Sequence, residues 1–211
     1  MARRPLTRER ILAAALHLAD ESGIEALSMR KLGLILGYEA MSLYNHVANK
    51  DDLIDGILDL VLTEADDPSP DGPWDEAIRS SALSVHRSLR QHPWACELLL
   101  SGRHVRPGRL RYMDALLGRL RGAGFSADTT YHAYHVLDAH IFGFSLWQAG
   151  HSSGGMTMDD VRPLLERMIP ADVYPHLREH GEQHFAPGPH QDASAFEFGL
   201  DLILDGLKKY G

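Results

Sequence analysis

Three features of this 211-residue sequence predict an all-α fold. Apolar residues recur at three- and four-residue steps in every long segment, no segment alternates as a strand would, and Ser28 to Lys50 divides into two short helices about a glycine. That division is the layout of a helix-turn-helix.

Taken in order, Arg3 and Arg4 form a basic arm that is either a solvated terminus or a reach toward phosphate or the minor groove. Thr7 is placed to cap a first helix with Ile11, Ala15, Leu18 and Ala19 on its inner face, and Gly23 closes it. Ser28 caps the next, whose buried stripe is Met29, Leu32 and Leu36 with Ile35 beside them. Gly37 ends it where a positive φ costs a glycine little. A second short helix runs from Ala40 to His46, docking through Leu43 and Val47. Asn49 caps a third segment, Asp51 to Glu64, with Leu53, Ile57, Leu60 and Val61 inward.

The run DDPSPDGP, Asp66 to Pro73, has boundary composition, so residues 1–65 form a DNA-binding domain and 74–211 a larger one. In the latter, Ile78, Ala82, Val85 and Leu89 mark one helix, stopped at His92 and Pro93; Trp94 to Leu100 makes a short one. Leu110, Met113, Leu117 and Leu120 mark another, ended by GAGF. Asp128 to Ala149 is apolar on several sides, which predicts burial on all of them. A short helix capped by Thr157 follows, then a Pro-, Gly- and His-rich segment to Pro189 expected to be irregular or partly helical, and a last helix from Ala193 to Lys209.

The net charge of −8 argues against a nucleic-acid partner until its distribution is examined. Residues 1–50 carry seven basic and five acidic side chains, and the acidic excess lies entirely beyond them. An acidic body repels DNA everywhere except at the intended face. No apolar run approaches the ~20 residues needed to span a bilayer, and no secretion signal opens the chain, so a soluble cytoplasmic protein is expected. Cys96 is the only cysteine, which excludes an internal disulfide and a cysteine-built metal cage.

The stretches ILAAALHLADESGIEALSMRKLG, SLYNHVANK and DLIDGILDLV resemble the TetR family of bacterial transcriptional repressors, and FEFGLDLILDGL near the C-terminus looks like the last helix of its tetracycline-repressor branch. The resemblance is specific over the first ~65 residues and holds at the level of helical pattern beyond. It implies a homodimer in which Asp128 to Ala149 and Ala193 to Lys209 of two subunits pack as four helices. It also implies release from a palindromic operator by a small-molecule effector. The branch's drug-contacting Asn and Phe are replaced here by Ser81 and Val85, a departure that puts tetracycline itself in doubt.

For duplex DNA, Arg30 is the best candidate to read a base, because its planar fork can take guanine O6 and N7 together; Ala40, Met41 and Asn45 would supply the rest. Ser28, Ser42, Tyr44, His46 and Lys50 would hold phosphates, with Lys31 beside them at a helix start. An effector cavity could be lined by Trp94, His104, Met113, Tyr134, His135, Phe142 and Trp147, although aromatics at helical spacing are more often core. Of the thirteen histidines, His132 and His135 with Asp138 make the most credible ligand row, ahead of His180 and His184; pocket lining or helix capping is the commoner use, so no metal and no cofactor is expected. No nucleophile elbow, phosphate loop or dinucleotide fingerprint occurs, and an enzyme is not expected. The alternatives are a helical sequestering protein with a vestigial helix-turn-helix and a helical enzyme using a histidine-bound metal.

Overall fold

The computed structural model describes residues 5–101, 106–151, 158–185 and 193–211. Every regular element among them is helical. In the N-terminal part α1 spans Arg8–Ser22, α2 Met29–Leu36, α3 Ala40–Leu43 and α4 Lys50–Thr63. The local signals act as expected. Thr7 accepts from Arg10 N, Ser28 from Lys31 N and Asn49 from Asp52 N, each satisfying one orphan donor of a first turn. Gly37 sits at φ 74°, ψ 31°, the left-handed region, and closes α2 there.

Two hydrophobic cores result. Ile11, Ala15, Leu18, Leu32, Leu43, Val47, Leu53 and Ile57 fill the smaller, and α4 continues through Leu58, Val61 and Leu62 into the larger. The connecting helix is thus buried on two faces and belongs to both cores.

The larger bundle contains α5 Trp74–Gln91, α6 Pro93–Leu100, α7 Pro107–Gly122, α8 Ala127–His151 and α11 Ala193–Leu207, with α9 Met158–Met168 and α10 Pro175–Phe185 packed on one another. The segment expected to be irregular or partly helical therefore contains a full helix, α10. The cap proposed at Thr157 and the arm Arg3–Arg4 lie outside the described residues. Helix α8 is central, touching α5, α6, α7 and α11. Phe196 of α11 is fully buried against it, its ring stacked 3.9 Å from His86 and 4.8 Å from His140. Gly199 permits this approach, since a Cβ there would meet the His140 ring at 2.5 Å.

Four expectations need correction. Ile35 is 53% exposed, because α2 buries only one narrow stripe and Ile35 lies off it. In α7 the fully inward residues are Tyr112, Leu116 and Leu120, with Met113 and Leu117 only half-buried beside them and Leu110 exposed, so the middle of the stripe is shifted by one position from the one read in sequence. The regular part of α3 stops at Leu43, whose carbonyl accepts from both His46 N and Val47 N, tightening Tyr44–His46 into a turn. Finally, α8 is not buried all round: Tyr131, Val136, Leu146 and Trp147 are exposed in the single chain.

Candidate nucleic-acid interface

The helix-turn-helix is held from within by Leu32 and Leu43, both fully buried, and by Val47. At ~1.5–3 kcal/mol for each large apolar side chain, this docking fixes which residues are left to face outward. Close approach of α2 to the turn requires Gly33, where a Cβ would lie 2.7 Å from the Tyr38 carbonyl. Tyr38 N donates to Gly33 O at 2.8 Å and Gly37 N to Leu34 O at 3.3 Å, so backbone bonds close the reversal.

Ser28, Arg30, Lys31, Met41, Tyr44, Asn45 and Lys50 are exposed, and Ala40, Ser42 and His46 are half-buried. All ten residues chosen from the sequence therefore lie on the two short helices and their flanks with a surface to offer. Met41, 74% exposed, is an apolar side chain with no partner in the fold's core and is suited to a thymine methyl.

The sequence did not reveal what holds the recognition segment in place. Arg8, the first residue of α1, donates to both carboxylate oxygens of Asp52 at 2.8 and 2.9 Å and to the His46 carbonyl at 3.0 Å. Asp52 also accepts from Ala48 N at 2.8 Å. The hydrogen bonds from Arg8, then that from Ala48 N, lower the Asp52 carboxyl to about 2. A carboxyl lowered on folding stabilises the native state above its ordinary range, near pH 4, and that contribution is lost as pH falls toward 2. With 40% of the Arg8 side chain exposed, solvent screening reduces the contribution to ~1 kcal/mol. Arg8→Ala should therefore lower urea stability by about that amount at pH 7, with the gap to the parent closing as the pH drops below about 4. A gap unchanged into that acid range would rule out the charge pair as its source.

In the larger domain the seven proposed lining residues are not all brought together. Tyr134 and Phe142 are buried beside Arg109, whose guanidinium lies 4.2 Å over the Phe142 ring and reaches Asp138 Oδ1 at 2.6 Å and the Tyr134 hydroxyl at 3.5 Å. Burial raises the Tyr134 phenol and keeps it neutral. Met113 is half-buried against the same core. Trp94 instead donates to Asp20 of α1 at 2.8 Å, at the junction with the DNA-binding part. His135 is exposed and its Nδ1 meets the Tyr131 carbonyl, while Trp147 packs beside Phe144 with 46% of its surface open. His104 lies outside the described residues. Ser81 and Val85 are buried core members, Ser81 donating to Asp66 O.

The histidine row is divided in the same way, because Asp138 is engaged by Arg109 and His132 points to Asp128 at 3.8 Å. Of the other pair, His180 is exposed and the side chain of His184 is outside the described set. Polar links run from this domain to α4, among them Ser88 Oγ to the Val61 carbonyl at 2.7 Å. Gly108 N donates to Asp59 Oδ1 at 2.6 Å, and Arg106 pairs with the buried Asp55.

Comparison with known proteins places these features in context. Residues 11–57 match the description "Bacterial regulatory proteins, tetR family", and residues 67–210 match "Tetracyclin repressor-like, C-terminal domain". The transcriptional repressor DrrR1 of Streptomyces coeruleorubidus is 31% identical over 96% of this chain and 77% of its own length. The class C tetracycline repressor of Escherichia coli is 30% identical over 97% of this chain and 91% of its own. Among solved structures, the TetR-family protein ActR of Streptomyces coelicolor, in complex with actinorhodin, superposes with a TM-score of 0.78 at 29% identity, covering 98% of each chain.

Proposed function

The chain belongs to the TetR family of ligand-responsive, DNA-binding transcriptional repressors, and from that premise we propose that two copies bind a near-palindromic operator and release it when an effector occupies the larger domain. Residues 1–65 form the DNA-binding unit and 74–211 the effector-binding and dimerisation unit, with α4 joining them. Arg30 reads a base edge, and Ala40, Met41 and Asn45 complete the readout. Ser28, Lys31, Ser42, Tyr44, His46 and Lys50 grip phosphates. The observation that carries this reading is the outward presentation of these side chains on a helix-turn-helix whose inner residues are fully buried.

The effector site is the interior around Arg109, with Tyr134, Phe142 and Met113 from the lining set. Its position supports coupling to the DNA-binding unit, since the same first turn of α7 touches α4 through Gly108 and Asp59. An effector can release the operator only by preferring the conformer that does not bind DNA, and ~1–3 kcal/mol of preference suffices for a useful switch.

Selection from a random duplex pool tests the DNA reading. Enriched sequences should share an inverted repeat whose half-sites lie about 34 Å apart along the duplex. Failure to enrich any sequence at low ionic strength would leave the sequestering alternative.

A further inference from the structure

Both ends of α1 are tied to something that matters. Its first residue, Arg8, holds the carbonyl of His46 and the carboxylate of Asp52 at the recognition segment. Near its other end, ~18 Å along the helix, Asp20 is held by the elbow between α5 and α6. At that elbow His92 is 7% exposed and places Nδ1 2.7 Å from Asp20 Oδ1 and Nε2 3.0 Å from Glu64 Oε2 at the end of α4; Trp94 Nε1 adds a third bond, to Asp20, at 2.8 Å. The ring is enclosed, with 8% of the side chain exposed. Pro93, the first residue of α6, restricts the backbone of His92, which sits at φ −125°, ψ 63° between the two helices.

A neutral imidazole carries one N–H and can serve one of the two carboxylates, whereas the imidazolium serves both. His92 therefore joins α1 and α4 to the effector domain with a buried polar contact that has more than one arrangement. Helix α8, which carries Tyr134 and Phe142, packs on both α5 and α6, and we propose that this clasp is a relay, in which a displacement of α6 by α8 is passed through His92 to Asp20 and along α1 to Arg8 and the recognition turn. The route is distinct from the α7–α4 links through Gly108 and Arg106, and it rests on the operator-binding reading above.

Coupling between two sites is reciprocal, so duplex binding must alter α6 if α6 can alter duplex binding. Hydrogen exchange of the full-length protein, with and without a duplex enriched from the random pool, reads this without any effector. In the parent protein the duplex should change exchange of the α6 amides by threefold or more. In His92→Gln, and in Asp20→Ala where only a partly exposed side chain is cut back, the duplex should bind within threefold of the parent while the α6 response is lost. A purely structural role would lower the thermal midpoint and leave the response intact, which would overturn the proposal. It is equally overturned by a parent that binds the duplex with no change in α6. A parent that binds no duplex at all sinks the operator reading itself, and the relay with it.

Discussion

Replacing Phe198 and Leu202 together by aspartate is expected to yield a monomer that no longer recognises the operator. The two residues are one helical turn apart on α11 and are 68% and 60% exposed in the single chain, an arrangement that a lone subunit has no reason to keep. Leu202 also lines a cleft of about 540 Å³ between α8 and α11, together with Val136 and Tyr210, themselves 50% and 70% exposed. Against a second copy, an isologous interface buries each of these positions twice. Phe and Leu each contribute ~1.5–3 kcal/mol on burial, so the pair removed from both subunits amounts to roughly 6–12 kcal/mol, before any cost of burying carboxylates. At tenfold per ~1.4 kcal/mol, a nanomolar dimer would then be largely dissociated at low micromolar concentration and below. Specific binding should fall toward the non-specific level, commonly a loss of ~10³-fold or more, because each subunit reads only a half-site. Sedimentation velocity and gel shift give the two readouts. A variant that still sediments as a dimer at nanomolar concentration would remove this face from the interface, and a parent that is already monomeric would remove the dimer.

The second large effect is expected at Arg30. It stands exposed in the first turn of α2, and the hydroxyl of Ser28 caps the Lys31 amide beside it, so the backbone that carries Arg30 is fixed before DNA arrives. Arg30→Ala should cost ~1–3 kcal/mol, or about 5- to 150-fold in affinity, and relax preference at one position of each half-site. Lys50→Ala should differ in kind. Lys50 opens α4 and is assigned a phosphate in the proposed reading, so its loss should weaken every sequence alike and flatten the dependence of affinity on salt by about one unit of slope. Binding of both variants to a library of single-base operator changes separates the roles. An Arg30→Ala protein with the parent's preference profile would transfer base reading to Asn45 or Met41.

Much of the fold was legible before the structure because its signals are local. Thr7, Ser28 and Asn49 each cap a helix by accepting from the amide three residues on, and Gly37 needs nothing beyond its own φ to end α2. The outward placement of the ten residues proposed to face DNA was legible for the same reason, since the helical period alone separates them from the buried Leu32, Leu43 and Val47. The proposed effector site was legible only in part. Tyr134 and Phe142 fall at helical spacing with Asp138, but Arg109, which organises all three, lies 29 residues from Asp138 in sequence. Trp94 looked the same from its sequence neighbourhood and serves a different purpose, its indole engaged by a carboxylate 74 residues away.

By itself, then, the sequence determined most of the helices, their capped ends and the side chains left outward on the helix-turn-helix, all of which depend on forces acting within one or two helical turns. Only the tertiary structure decided which side chains meet: Arg8 with Asp52, Arg109 with Asp138, and His92 between Asp20 and Glu64. Such pairs are set by how helices pack, and a one-dimensional pattern carries no record of which distant carboxylate a given cation will find.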